Sequence, residues 1–190
     1  MEALKRYLEQ HVALEPGAWE AMQEAAEPRH LKRREFFLRQ DQVCRHVGFI
    51  ASGYVRLFYL KDGLEITKDF NFEQSFCGSY ASFSLQQPSR FNVVAMEDTE
   101  LYAVGRSDLY RLFDTYPSLQ KMGRLNMEHM FIRKELRESA FLLDGAERRY
   151  LDLLEQHPQV LQRVPLKYIA SYLGLTAETV SRIRRSLQRP

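Results

Sequence analysis

Cysteine is nearly absent from this 190-residue chain, which carries only Cys44 and Cys77. They form no C-x-x-C pair, and no histidines cluster at metal-ligand spacing, so neither a disulfide framework nor a structural zinc or iron–sulfur site is indicated. Two small buried hydrophobes is the reading that follows. A redox role would need a neighbour that lowers a thiol pKa, and Arg45 beside Cys44 is the adjacent candidate. Long apolar runs are lacking as well. No stretch approaches the roughly 18 residues needed to span a bilayer, and Met1-Glu-Ala-Leu-Lys-Arg continues into polar residues rather than a leader's apolar stretch. A cytoplasmic protein with no membrane contact is expected. Neither sign of charge dominates: 27 Lys and Arg against 25 Asp and Glu leave a net charge of +2, which by itself points to no partner. His30 and His46 are isolated, so the His-x-His pair and carboxylate of a metal-dependent cupin-type oxygenase are missing. No catalytic residue is assigned and no enzyme is expected.

What the chain does have is core-forming material, with 45% hydrophobic and 12% aromatic residues. At this length that supports a medium domain plus a small one. Leu4, Tyr7 and Leu8, then Trp19, Met22 and Ala26, have helical spacing broken at Glu15-Pro16-Gly17. From Arg29 to Val104 the pattern changes to short runs rich in Val, Ile, Phe and Tyr between turn signals, the rhythm of an antiparallel barrel or sandwich. Val47 to Leu60 reads as two strands around Gly53, and Asp62-Gly63 as a hairpin turn into Glu65–Phe72. Alternation there puts Ile66, Lys68, Phe70 and Phe72 on one face and Glu65, Thr67, Asp69 and Asn71 on the other.

Ser107 is the expected N-cap of a helix from Asp108 to Tyr116, and Pro117 opens a much longer one. In it Met122, Leu125, His129, Ile132, Leu136, Ser139 and Leu143 alternate three and four apart, the spacing of a coiled-coil seam, so pairing with a second copy is expected. Asp144-Gly145 interrupts the seam, and a further amphipathic helix runs from Glu147 to Gln156. The division expected is 1–116, 117–143 and 144–190.

The terminal segment concentrates positive charge: Arg163, Lys167, Arg182, Arg184, Arg185 and Arg189 stand against the single acid Glu178. Leu166–Leu187 reads as helix-turn-helix. Ile169, Ala170 and Leu173 face inward on the first helix, Gly174 permits the turn, Leu175 plugs it, and Thr176 caps a second helix whose Val180, Ile183 and Leu187 face inward. Left exposed are Thr176, Ala177, Glu178, Thr179, Ser181, Arg182, Arg184 and Arg185. Arginine pairs bidentately with guanine, glutamate accepts from cytosine, and hydroxyls and helix N-termini hold phosphate. Double-stranded DNA is the expected partner. Glu178 stands four residues before Arg182, so the acid can orient the arginine.

Phe49-Ile-Ala-Ser-Gly-Tyr-Val-Arg-Leu57, the seam from Met122, and Ile169-Ala-x-x-Leu-Gly-x-Thr-x-Glu-Thr-Val-Ser-Arg-Ile183 together resemble the Crp/Fnr family over nearly the whole length, the last motif being the most specific. The resemblance implies an α+β fold: an N-terminal cyclic-nucleotide-binding-like antiparallel β-roll, or jelly roll, a long dimerisation helix, and a C-terminal winged helix-turn-helix. It implies a homodimeric transcription regulator that acts on RNA polymerase. It assigns base reading to Glu178 and Arg182 and phosphate contact to Thr176 and Thr179, while Ala177 departs from members that carry another base-reading arginine. With Pro190 directly after the recognition helix, the wing is expected to be missing or reduced. That motivates a competing reading, a signalling or protein-interaction module without specific DNA binding.

Nucleotide-binding members of the family carry a Gly-Glu pair and then an Arg-Ser pair. Here Phe76-Cys-Gly-Ser-Tyr80 keeps Gly78 but has Ser79 for the acid, and Pro88-Ser-Arg-Phe91 presents Ser89 and Arg90 in reversed order. A one-residue shift in a strand points a side chain to the opposite face, which leaves cyclic AMP in doubt. Tyr80, Phe83 and Phe91 either fill the core or line a site for a more apolar effector. No cofactor is assigned, since the iron–sulfur cysteines and an identifiable haem ligand are both lacking.

Overall fold

The computed structural model describes residues 1–187; Arg189, counted above in the basic terminus, lies outside them. Two compact units divide the chain, one from Met1 to Met127 and one starting at Glu128. Their boundary falls inside a single helix, Pro117–Leu143, rather than at either of its ends. Asp144-Gly145 therefore lies within the second unit.

The first unit opens with two short helices, α1 (Glu2–His11) and α2 (Ala18–Ala25), separated where Gly17 takes φ 84°. Strands β1 (Ala26–Leu31), β2 (Phe36–Leu38), β3 (His46–Ser52), β4 (Val55–Lys61), β5 (Leu64–Asn71) and β6 (Phe76–Cys77) follow. Then come helix α3 (Tyr80–Leu85), β7 (Asn92–Ala95) and β8 (Thr99–Gly105). They form two four-stranded sheets, ordered β1-β8-β3-β6 and β2-β7-β4-β5, antiparallel throughout. Leu31, Ile50, Val55, Leu57, Val93 and Leu101 fill the space between the sheets, as the alternation of a roll demands.

Two turns behave as the sequence requires. Gly53 has φ 83°, and a Cβ there would stand 2.6 Å from Thr99 Oγ1 and 2.7 Å from the Asp98 carbonyl oxygen. Asp62 and Gly63 both have positive φ, 52° and 77°, the conformation of a type I′ hairpin turn.

Strand β5 departs from simple alternation. Leu57 pairs with Asp69 but Phe58 pairs with Thr67, so Lys68 is the extra residue of a β-bulge. Parity reverses across it. Thr67 is buried, 1% exposed, and accepts a hydrogen bond from the buried Arg56 at 3.3 Å, while Ile66, expected on the inner face, is 45% exposed.

A second core lies on the other face of the first sheet. Phe49 and Val104 meet Leu4, Leu8, Met22, Leu112, Leu119 and Met122 from α1, α2, α4 (Arg106–Thr115) and α5 (Pro117–Leu143). Helix α4 starts earlier than expected: its N-cap is Gly105, and Ser107 lies in the first turn. The extended Gly105, ψ 156°, carries β8 straight into the helix. The start of α5 is held by Glu15, whose carboxylate accepts the Ser118 N–H at 2.8 Å and also the Ser118 hydroxyl.

The second unit packs α6 (Ala146–Gln156), α7 (Val160–Arg163), α8 (Leu166–Leu173) and α9 (Ala177–Leu187) around Tyr150, Leu153, Val160, Ile169, Leu173 and Val180. The later part of α5 joins them. Arg137 donates to the Tyr172 carbonyl oxygen at 3.1 Å, and Phe141 lies where a Cβ on Gly174 would be 3.0 Å from its ring.

Candidate nucleic-acid interface

Helix α8 ends because Gly174 adopts the left-handed region, φ 67°; the Leu175 N–H then bonds back to the Ala170 carbonyl at 2.9 Å. Thr176 caps α9 as expected, its hydroxyl accepting the Thr179 N–H at 3.2 Å. Val180 is fully buried, which turns the opposite face of α9 outward.

On that face a chain of side chains links an acid to a base. Arg182 donates to the Thr179 hydroxyl at 3.3 Å, and the Thr179 and Thr176 hydroxyls lie 3.1 Å apart. The Glu178 carboxyl is held below the usual carboxylate range, first by its own backbone N–H, next by the Thr176 hydroxyl, and less by the charge of Arg182. Either threonine hydroxyl can donate to the other.

The other expected contact residues divide. Arg185 is exposed, its Nε donating to the Ser181 carbonyl at 3.5 Å, and Lys167 is exposed on α8 with its ammonium 4.8 Å from the centre of the Tyr168 ring. Ala177 and Ser181 are half-buried. Arg184, expected to be exposed, is half-buried as well, near enough to Tyr150 to oppose the upward effect of burial on that phenol. It follows Val180 by four residues and so shares the inward face. Leu187, expected to face inward, is 41% exposed; α8 spans 8 residues and α9 spans 11. Sequence reading missed Arg137, Phe141 and Tyr172, which tie α5 to the turn of the motif. Their only sequence mark is the i,i+4 spacing of Arg137 and Phe141.

The residues considered for an effector do not converge on one polar site. Gly78 has φ 143°, and Ser79 is buried with its N–H donating to Cys44 Sγ at 3.4 Å. Tyr80 is exposed at the start of α3. Ser89 is spent on the backbone: its hydroxyl donates to the Phe91 carbonyl at 2.8 Å and its N–H to the Gln42 carbonyl at 2.8 Å. Arg90 is exposed, and Phe91 sits edge-on to Tyr59 with ring centres 5.8 Å apart. Burial pushes the Cys77 thiol up to about 12 and raises Cys44 too, the reverse of an activated thiol. Among the described residues no group of three or more His, Cys, Asp or Glu is placed to hold a metal, and no helix is long and apolar enough to cross a membrane.

Along the chain an antiparallel β-roll, a long helix and a terminal helix-turn-helix follow one another. Residues 28–116 match the cyclic nucleotide-binding domain family. The chain is 30% identical over 170 residues to the nitrogen fixation regulation protein FixK of Azorhizobium caulinodans, covering 82% of this chain and 66% of that protein. It is 33% identical over 104 residues to the transcriptional regulatory protein Btr of Bordetella pertussis, covering 48% and 43%. It thus spans less than two thirds of the length of these relatives. In fold it is similar to FixK2 from Bradyrhizobium japonicum, with a TM-score of 0.73, 21% identity and coverage of 85% of this chain and 84% of that one. The Thermus thermophilus catabolite activator protein has a TM-score of 0.60 at 24% identity, covering 95% and 86%. The resemblance to the Crp/Fnr family seen in the sequence thus extends to FixK in sequence and to FixK2 in fold.

Proposed function

We propose that this chain is a sequence-specific, DNA-binding transcription regulator that acts as a homodimer and answers to a signal received at its β-roll. The observation that carries this reading is the outward face of α9, where Thr176, Thr179 and Arg182 are already connected before any DNA arrives and the exposed Glu178 stands beside them. Side chains held in place lose less freedom on binding, so base contacts cost less entropy. Arg182 reads a guanine edge, Glu178 accepts from a cytosine, and Thr176, Thr179, Ser181, Lys167 and Arg185 hold phosphates. Ala177 adds apolar contact. Half-buried Arg184 contributes charge rather than base reading.

Helix α5 supplies the second copy. Beyond Met127 it exposes Phe131, Ile132, Leu136, Leu142 and Leu143, a density of apolar surface that a two-fold partner would bury. Two half-sites related by the same symmetry then follow. The regulator names of FixK and Btr support the reading; it takes the role to be regulatory rather than catalytic, with RNA polymerase as partner in the cytoplasm.

Selection from genomic fragments tests it. Enrichment of a two-fold-related sequence, with affinity falling steeply as salt rises, is expected. Enrichment of no sequence, with or without cell extract, would favour the interaction module instead.

A further inference from the structure

The helices over the outer face of the first sheet leave the space beneath them partly open. A cavity of about 340 Å³ lies there, within the first unit, with Phe49, Tyr102 and Val104 as its floor and Phe83, Phe113 and Met122 among its walls. Interiors pack to crystal density with few voids larger than a water molecule, and pockets for small ligands start near 300 Å³. This space is of the second kind. It is separate from the positions of the family's nucleotide contacts: of Gly78, Ser79, Tyr80, Ser89, Arg90 and Phe91, only Tyr80 borders it.

Three features set the chemistry of an occupant. The lining is almost wholly carbon, and the one charged residue on it, Arg124, is exposed at the rim, so an ion would lose its hydration against apolar walls. Aromatic rings dominate and stand at mixed angles: Phe49 and Phe76 meet edge to face at 5.3 Å, while Phe83 and Tyr110 stack at 6.3 Å. A planar ring gains from both presentations. Of the lining tyrosines, Tyr102 on the floor already accepts a hydrogen bond from the Met1 amino group, whereas Tyr80 and Tyr110 are exposed, which leaves hydrogen bonding for the mouth of the cavity.

One wall depends on a glycine. Gly123 lies inside α5, where glycine weakens a helix, yet a Cβ at this position would stand 2.6 Å from Phe113 Cζ. The bare Cα lets the Phe113 ring lie against α5 and close the cavity on that side.

We propose that this cavity binds a neutral, largely aromatic small molecule carrying a hydrogen-bonding group at one end. The occupant touches Met122 and Met127 on α5, the helix that also carries the exposed apolar stripe, and so stands where it can bias that helix.

The test uses the full chain and N-phenyl-1-naphthylamine, a neutral aromatic probe that brightens on leaving water. Saturable one-to-one binding is expected, weakened at least tenfold by Leu109→Trp and by Val104→Phe and unchanged by Leu64→Ser on the exposed hairpin between β4 and β5. Methyl-labelled methionine gives a readout without substitution: the probe should shift Met22, Met122 and Met127 and leave Met96 in place. Absence of saturable binding, or saturable binding that shifts none of the three methionines, overturns the site. Failure of DNA selection in a protein that still takes the probe would remove the regulatory reading and leave the site standing.

Discussion

Arg182 does not pair directly with Glu178; its guanidinium donates to the Thr179 hydroxyl at 3.3 Å, and among the described residues no ion pair joins it to the acid. A threonine hydroxyl, not the acid, holds the base. Thr179→Val keeps the shape and removes the link, so base discrimination should fall by about 1 kcal/mol, the worth of an ordinary hydrogen bond. Anisotropy titrations on the selected and a scrambled duplex check it. An unchanged ratio of the two affinities would mean the link does not position the arginine.

Exposed apolar residues on the later part of α5 carry the dimer prediction. Leu136→Arg places a charge in the middle of Ile132, Leu136 and Leu143, which an interface would have to bury unpaired. Sedimentation should show a dimer for the natural chain and a monomer for the variant. Dimers in both would move the interface off this stripe.

Gly53→Ala combines two faults: φ of 83° and a Cβ 2.6 Å from Thr99 Oγ1. Strained backbone of this kind costs about 1 to 3 kcal/mol, and the clash with the Asp98 carbonyl adds to it. Denaturant unfolding of the first unit should shift to lower concentration accordingly, whereas Gly63→Ala, with nothing near its Cβ, should lose less.

Burial holds the Cys77 thiol at about 12 against an ordinary 9.0, so the folded state favours the protonated form. The unfolded chain releases that proton from about pH 9 upward. Stability from this group is therefore complete below pH 9 and is lost as pH rises towards 12. Unfolding curves across this range should show a decline that Cys77→Ala reduces. Iodoacetamide at neutral pH should label neither cysteine until the protein is denatured; rapid labelling of native Cys44 or Cys77 would contradict their burial.

Patterns that depend on local spacing were legible in the sequence. Pro117 opens α5, Asp62-Gly63 makes the hairpin, Gly174 turns the motif and Thr176 caps α9, because each rests on the φ preference or side-chain reach of one or two residues. What depends on a distant partner was not. The bulge at Lys68 exists only in the pairing of β4 with β5, so plain alternation put Ile66 inside and Thr67 outside. Glu15 caps α5 from 103 residues away, and nothing near Glu15 marks it as a cap. Arg184 looked like one more exposed base because its half-burial depends on Tyr150 in another helix, which nothing near Arg184 in the sequence marks. The effector residues rested on the resemblance more than on spacing, and Ser89 turned out to be engaged by the backbone.

The most direct measurement compares Arg182→Ala with Arg185→Ala on the selected duplex and on random DNA. Removing a bidentate base contact should cost about 1 to 3 kcal/mol on the selected sequence and far less on random DNA. Removing a phosphate contact should weaken both alike and lower the salt slope by about 1. Equal losses on both duplexes for Arg182→Ala would contradict the assignment of α9 as the element that reads sequence.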